Sequence, residues 1–143
     1  MDGKSYTKLC EGLTLHAIPD TNGYSIGYGH DGAAAGDIWT AAQADAAFDD
    51  DYETATANAK RAYGSTWSSL DEVRQAALTD MAYELGGAGL IGFHNMLAAV
   101  RAYNWQAAHD NCLASSYARQ VPTRAERSAN MLLTGEWQPG FGA

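Results

Sequence analysis

Positive charge is scarce in this chain. Nine Lys and Arg stand against 17 Asp and Glu, a formal net charge of −8 over 143 residues. That balance disfavours nucleic acid as a partner, because binding a polyanion depends on neutralising its charge. Cysteine is scarce too. Cys10 and Cys112 are only two and far apart in sequence; they read as two reduced, packed thiols, with a single disulfide between them as the alternative. His16, His30, His94 and His109 show no ligand spacing with one another or with the cysteines, so no metal is expected, and no other cofactor is implied. No apolar run approaches the length of a membrane span, and Met1 to Tyr6 contains no apolar signal region. The expectation is a chain that does not insert into a membrane and is made soluble. What is abundant is core-forming material: 46% hydrophobic residues against 18% charged. By length and composition this is one globular domain, residues 1–143.

The most informative stretch runs from Glu11 to His30. A carboxylate opens it, a second, Asp20, follows nine residues on, and a hydroxyl, Ser25, stands just before Ile26-Gly27-Tyr28-Gly29-His30. Asp20-Thr21-Asn22-Gly23 is a turn signal flanked by strand-forming residues, Leu13 to Ile18 and Tyr24 to Tyr28, so a hairpin is predicted. A hairpin that follows a helix end can set Glu11, Asp20 and Ser25 on one side of a cleft. Two carboxylates held apart by a water are the equipment of a glycosidase. The bare pair has a plainer reading as solvated surface charge, and the glycines can serve turns alone.

The remaining elements are helical. Residues 2–12 read as a short helix capped by Asp2 or Ser5, with Tyr6, Leu9, Cys10 and Leu13 at helical spacing. Glu11 falls in its last turn, where the negative end of the helix dipole favours the protonated carboxyl. Asp31 to Asp37 reads as a glycine-alanine loop. Thr40-x-x-Gln43 is a capping box opening a helix over about 40–62, with Phe48, Tyr52, Ala55, Ala59 and Ala62 on one stripe. Ser69-x-x-Glu72 is a second box, ahead of a mostly apolar central helix carrying Leu70, Val73, Ala77 and Met81 and stopped by Gly86 to Gly89. Further helices are predicted over 93–103, 105–115 and from Pro122 or Thr123 to Leu133, the last with a third box, Thr123-x-x-Glu126, and a stop at Gly135. The tail, 137–143, is expected to fold back through Trp137.

Glu11-Gly12-Leu13, the spaced Asp20 and Ile26-Gly-x-Gly-His30 resemble the catalytic signature of the phage-type lysozymes, glycoside hydrolase family 24, which include the T-even bacteriophage enzymes. Ser69 to Arg74, Gly92-Phe93-x-Asn95, Trp105-x-Ala107-Ala108, Pro122-x-Arg124-Ala125 and Thr134 to Trp137 recur in order in that family. The resemblance therefore covers nearly the whole chain. It implies an α+β, mainly α, lysozyme-like fold: a small N-terminal lobe with the β-hairpin (about 12–47), a long connecting helix (40–62) and a helical C-terminal lobe (63–143). It implies hydrolysis of the β-1,4 bond between N-acetylmuramic acid and N-acetylglucosamine in peptidoglycan. Glu11 would be the general acid, Asp20 would activate water and Ser25 would help hold it. T-even relatives carry threonine in place of Ser25, with one more residue before it. On the T-even pattern the reaction inverts the anomeric centre, with carboxyls roughly 6.5–9.5 Å apart.

The same resemblance places Arg124 beside Glu11, makes His30 a structural residue paired with an acid, Asp51 being favoured, and nominates Asp31, Tyr83, Met96 and Asn111 for substrate contact. Read from pattern alone, Tyr83 fits a core aromatic as well as a sugar-stacking one, and Asn111 fits a surface amide. The implied role is a monomeric phage endolysin, made in the host cytoplasm and acting on the periplasmic wall with help from a separate membrane-permeabilising protein. The wall is anionic, so the acidic balance implies a local basic patch, for which Arg119, Arg124 and Arg127 are the candidates, and activity that improves with moderate salt. A lytic transglycosylase and a catalytically dead wall-binding module are the competing readings.

Overall fold

The computed structural model describes residues 1–138. Helix α1 spans Gly3–Glu11, and Asp2 caps it by accepting a hydrogen bond from the Ser5 backbone N–H at 2.8 Å. Its buried face is Tyr6 and Thr7, while Leu9 and Leu13 stay 49% and 45% exposed. Of the expected stripe, Tyr6 and Cys10 face the core while Leu9 and Leu13 do not, because α1 lies on helix α3 (Glu72–Ile91) through Tyr6, Thr7 and partly buried Cys10. Both cysteines are free thiols, as expected from their number, and burial pushes each up to about 12.

The hairpin forms as β1 (Thr14–Asp20) and β2 (Gly23–Gly27), with Asp20 opposite Gly23 across the turn. A third antiparallel strand, β3 (His30–Ala33), pairs with the other edge of β2 where the sequence suggested a loop. Asp-Gly-Ala has little strand preference of its own. The β2 edge supplies the pairing that local propensity lacks.

Helix α2 (Ala41–Tyr63) begins at the Thr40 capping box, with both reciprocal bonds present. It packs Ala44 and Phe48 near the sheet and Ala55, Ala59 and Tyr63 against the helical core. Helix α3 (Glu72–Ile91) starts at Asp71, whose carboxylate accepts from the Arg74 N–H at 3.1 Å. The Ser69 box is not used: Trp67–Ser69 form a 3-10 turn instead. Every residue from Ala76 to Ala82 is buried, so α3 is the central helix. Gly86, at φ 75° and ψ 170°, breaks it sharply, and a last helical turn continues to Ile91. The expected stop at Gly86 is therefore a kink, a backbone state that glycine adopts without strain.

Around α3 stand α4 (His94–Arg101), α5 (Trp105–Leu113), α6 (Ser116–Gln120) and α7 (Pro122–Thr134). Helix α6 was not anticipated from the sequence; Ser115 caps its single turn. Helix α7 starts at Pro122 with no side-chain cap, so the Thr123 box is also unused. Proline's fixed φ suits the first helical position and moves the start one residue earlier. Leu78, Met81, Leu90, Met96, Val100, Met131 and Leu132 fill the core, and Trp137 packs against the Tyr6 ring at 6.1 Å. The rest of the tail expectation, 139–143, lies outside the described residues. The fold is α+β and mainly helical, of the lysozyme-like kind. No helix among the described residues is long and apolar enough to cross a membrane.

Candidate active site

Glu11 is the last residue of α1, so its carboxyl meets the negative end of that helix. Asp20 ends β1, and its Oδ1 accepts from the Asn22 N–H at 3.0 Å, which fixes the turn and the carboxylate together. Ser25 lies on β2, opposite Ile18 on one side and Asp31 on the other. The end of α1, the end of β1 and the middle of β2 converge. Glu11, Asp20, Ser25, Asp31, Tyr83 and Glu84 line one cleft of about 650 Å³, together with Gly29 and Gln120.

Glu11 is 12% exposed at its side chain. Oε1 accepts from Arg124 Nη1 at 3.3 Å, and Oε2 is buried with no hydrogen-bonding partner among the described residues. Burial raises its pKa; Arg124 opposes the rise, while Glu84 and Asp80 add to it. Arg124 does not oppose with full strength because most of its donors are taken. Nε and Nη2 bind both oxygens of Asp80 at 3.0 and 2.8 Å, and Nη1 also reaches Glu84 at 3.0 Å. Asp80 is fully buried and accepts a further bond from the Thr7 hydroxyl at 2.7 Å. Burial alone would lower the Arg124 pKa, but the Asp80 carboxylate more than reverses this and holds the guanidinium charged. One cation thus sits among three carboxylates. Arg124, only 11% exposed and neutralised in this way, does not form the expected basic patch with Arg119 and Arg127.

Asp31 faces Asp20 in the cleft. Its pKa is raised by burial first and by the Asp20 charge second. Tyr83 also lines the cleft, with its hydroxyl donated to the Tyr28 carbonyl and its ring packed on Phe48 at 5.6 Å. Tyr83 thus packs on a core ring and borders the cleft at once. His30 Nδ1 lies 2.7 Å from Asp51 Oδ2, joining the strand end to α2. This pair lines a smaller adjoining cleft of about 270 Å³ that shares Gly29, Asp31 and Tyr83 with the first.

Met96 and Asn111 are not brought to either cleft. They line a separate depression with Phe93, His94 and Ser115. Met96 is 1% exposed within the core, and the Asn111 amide is donated to the Ala107 carbonyl at 2.8 Å. Among the described residues no group of three or more His, Cys, Asp or Glu is arranged to hold a metal.

Asp80 and Glu84 went unnoticed in the sequence, and Gly29 reads there only as a turn glycine of the Gly-x-Gly-His signature. A signal existed for Asp80, a lone acid inside the apolar run of α3, since a buried carboxylate is rarely left unpaired. For Gly29 there was only the positive-φ turn. A Cβ built there would lie 2.7 to 2.9 Å from Oε2, Oε1 and Cδ of Glu11, at a φ of +73°. Gly29→Ala is therefore expected to displace the Glu11 carboxyl, lowering activity at least about ten-fold and stability by about 1–2 kcal/mol for the left-handed backbone. Gly36→Ala, with φ +87° and nothing within 4 Å, bears the same backbone strain without the collision and should keep its activity. Turbidity clearance and thermal unfolding of both variants check this; equal activity of the two would overturn it.

Comparison with known proteins bears on the family. The chain is 35% identical over 72 residues, half of its length, to the pre-baseplate central spike protein Gp5 of Enterobacteria phage T4, of which it spans only 12%. It is 24% identical over 159 aligned residues to the probable T4-type lysozyme 1 of Dictyostelium discoideum, covering 92% of this chain and 94% of that one. A model of the phage lysozyme family, described as "Phage lysozyme", matches residues 8–129, which takes in the catalytic-site candidates from Glu11 to Arg124, and the chain belongs to that family.

Proposed function

We propose that the protein is a muramidase that cleaves the β-1,4 bond between N-acetylmuramic acid and N-acetylglucosamine, with Glu11 as general acid and Asp20 as the group that activates water. Membership of the family supports a peptidoglycan-hydrolysing glycosidase. The observation that carries the finer reading is the contrast between two carboxyls in one cleft. Glu11 is desolvated and raised, fit to give a proton to the leaving oxygen. Asp20 is exposed at a turn tip, placed to polarise a water and offset the oxocarbenium charge. Ser25, next to Asp31 and across from Ile18, supplies the hydroxyl that holds that water. A water attacking from the face opposite the acid inverts the anomeric centre. Asp31 and Tyr83 contact the glycan, and Arg124 and His30 hold the site together. The biological role is that of a phage endolysin, a monomer made in the host cytoplasm that reaches the periplasmic wall once a separate protein has permeabilised the membrane.

The test is digestion of purified peptidoglycan followed by mass spectrometry, with Asp20→Asn alongside. Reducing muramic-acid ends, with a loss of about 10²–10⁴-fold in Asp20→Asn and a smaller one in Ser25→Ala, support the reading. Anhydro-muramyl products would replace it with a lytic transglycosylase, which needs only the acid. Sedimentation with the wall but no cleavage by the wild type would make it a binding module.

A further inference from the structure

Glu84 has no part in the chemistry just described, yet it lies in the same cleft as Glu11. It reaches the same nitrogen: Arg124 Nη1 is 3.0 Å from Glu84 Oε2 and 3.3 Å from Glu11 Oε1. Nη1 carries two N–H groups and serves both carboxylates, and Glu84 has the shorter contact. The other two donors used by Arg124, Nε and Nη2, are held by Asp80. Glu11 is thus left with the residual, longest bond and with Oε2 unpartnered. We propose that Glu84 is a positioning residue that, by sharing the Arg124 charge at Nη1 and placing a negative charge beside Glu11, helps keep the Glu11 carboxyl in its acid form up to the working pH. The proposal rests on the reading of Glu11 as the general acid.

The surrounding charges permit this assignment. From α1, Glu11 has Cys10 beside it. From α3 it faces Asp80, Tyr83 and Glu84. From α7 come Arg124 and, acting on Cys10, Arg127. Across the cleft lie Asp20 and Asp31. Among the described residues Arg124 is the cation in direct contact, so what engages it bears on the Glu11 proton alongside the larger effect of burial. Glu84 is also the member best placed to be removed without collapse. Its side chain is 29% exposed, against 0% for Asp80 and 11% for Arg124.

Both consequences of removing the Glu84 charge act in one direction. Losing the neighbouring anion lowers the Glu11 pKa, and an Arg124 charge no longer shared with Glu84 acts more fully on Glu11 and lowers it further. The experiment is a ¹³C titration of the Glu11 carboxyl by NMR in wild type, Glu84→Gln and Glu84→Asp, with the pH profile of kcat/KM measured beside it. In Glu84→Gln the titration midpoint is expected to fall by about half a unit or more at low salt, and less at high salt, which screens the charge. The alkaline limb of the rate profile should move down with it, and Glu84→Asp should restore part of the shift. A midpoint in Glu84→Gln within about a fifth of a unit of wild type at low salt would overturn the proposal, because a charge this close must register if it acts on Glu11. The titration reads the carboxyl whether or not the protein cleaves glycan. Failure of the muramidase reading would show instead as unchanged activity in Glu11→Gln, with the titration shift intact.

Discussion

Glu11→Gln is expected to lose lytic activity by about 10²–10⁴-fold while gaining stability at neutral pH, two effects with one cause. The carboxyl is held in a place that suits its proton and not its charge: at a helix C-terminus, buried, and with one oxygen unpartnered. A carboxyl whose pKa is raised in the folded state binds its proton more tightly there than in the unfolded chain. As pH rises from the ordinary glutamate value of 4.5 towards the raised folded value, that group therefore subtracts from folding stability. Glutamine cannot ionise and escapes the loss. Denaturation curves of the two proteins should nearly coincide at pH 4 and separate at pH 7, with the variant the more stable. Turbidity clearance of permeabilised Gram-negative cells should show the opposite ranking. A variant that keeps most of its activity would remove Glu11 from the chemistry, and one whose stability advantage over wild type is no larger at pH 7 than at pH 4 would show that the site imposes no penalty on the charge.

The stability gain also marks which parts of the site a sequence can announce. Where the chain closes an interaction within a few residues, sequence and structure agree: the Thr40–Gln43 box, the Asp20–Gly23 turn, the Asp2 cap. Where two local options compete, the choice passed to the tertiary structure. Ser69 lost to Asp71 as a cap, and Thr123 to the earlier start at Pro122. Strand β3 had no local signal, since its pairing comes from β2. The site divides in the same way. Glu11, Asp20 and Ser25 lie within fifteen residues of each other, on elements whose ends the sequence predicts, and they meet in one cleft. The cluster around Arg124 joins positions 44 and 113 residues apart in the chain, and its members Asp80 and Glu84 carry no motif of their own. Met96 and Asn111 came from resemblance without a local argument, and the structure seats them elsewhere.

The second large effect is on that cluster. Arg124→Met is expected to destabilise the fold by about 3–5 kcal/mol, the usual result of removing one partner from a buried ion pair. The side chain is of similar length and still packs, so the loss is electrostatic. What remains is Asp80, fully buried, with the Thr7 hydroxyl as its remaining hydrogen-bond partner, beside Glu11 and Glu84 with no cation between them. For a chain of this size each kcal/mol lowers Tm by about 2–4 °C, so a fall of about 10 °C is expected. The deficit should shrink on acidification, because protonating the three carboxylates removes the repulsion that arginine had offset. Adding Asp80→Leu to Arg124→Met should recover a good part of the stability, since replacing both members of a buried pair by apolar groups is often neutral or better. It should recover none of the activity, because Glu11 would still lack the group that orients it. A Tm for Arg124→Met within about 3 °C of wild type would mean that the buried Asp80 charge is satisfied by something other than Arg124. A double variant no more stable than the single would mean that the arginine was supporting the helix packing and not the charge.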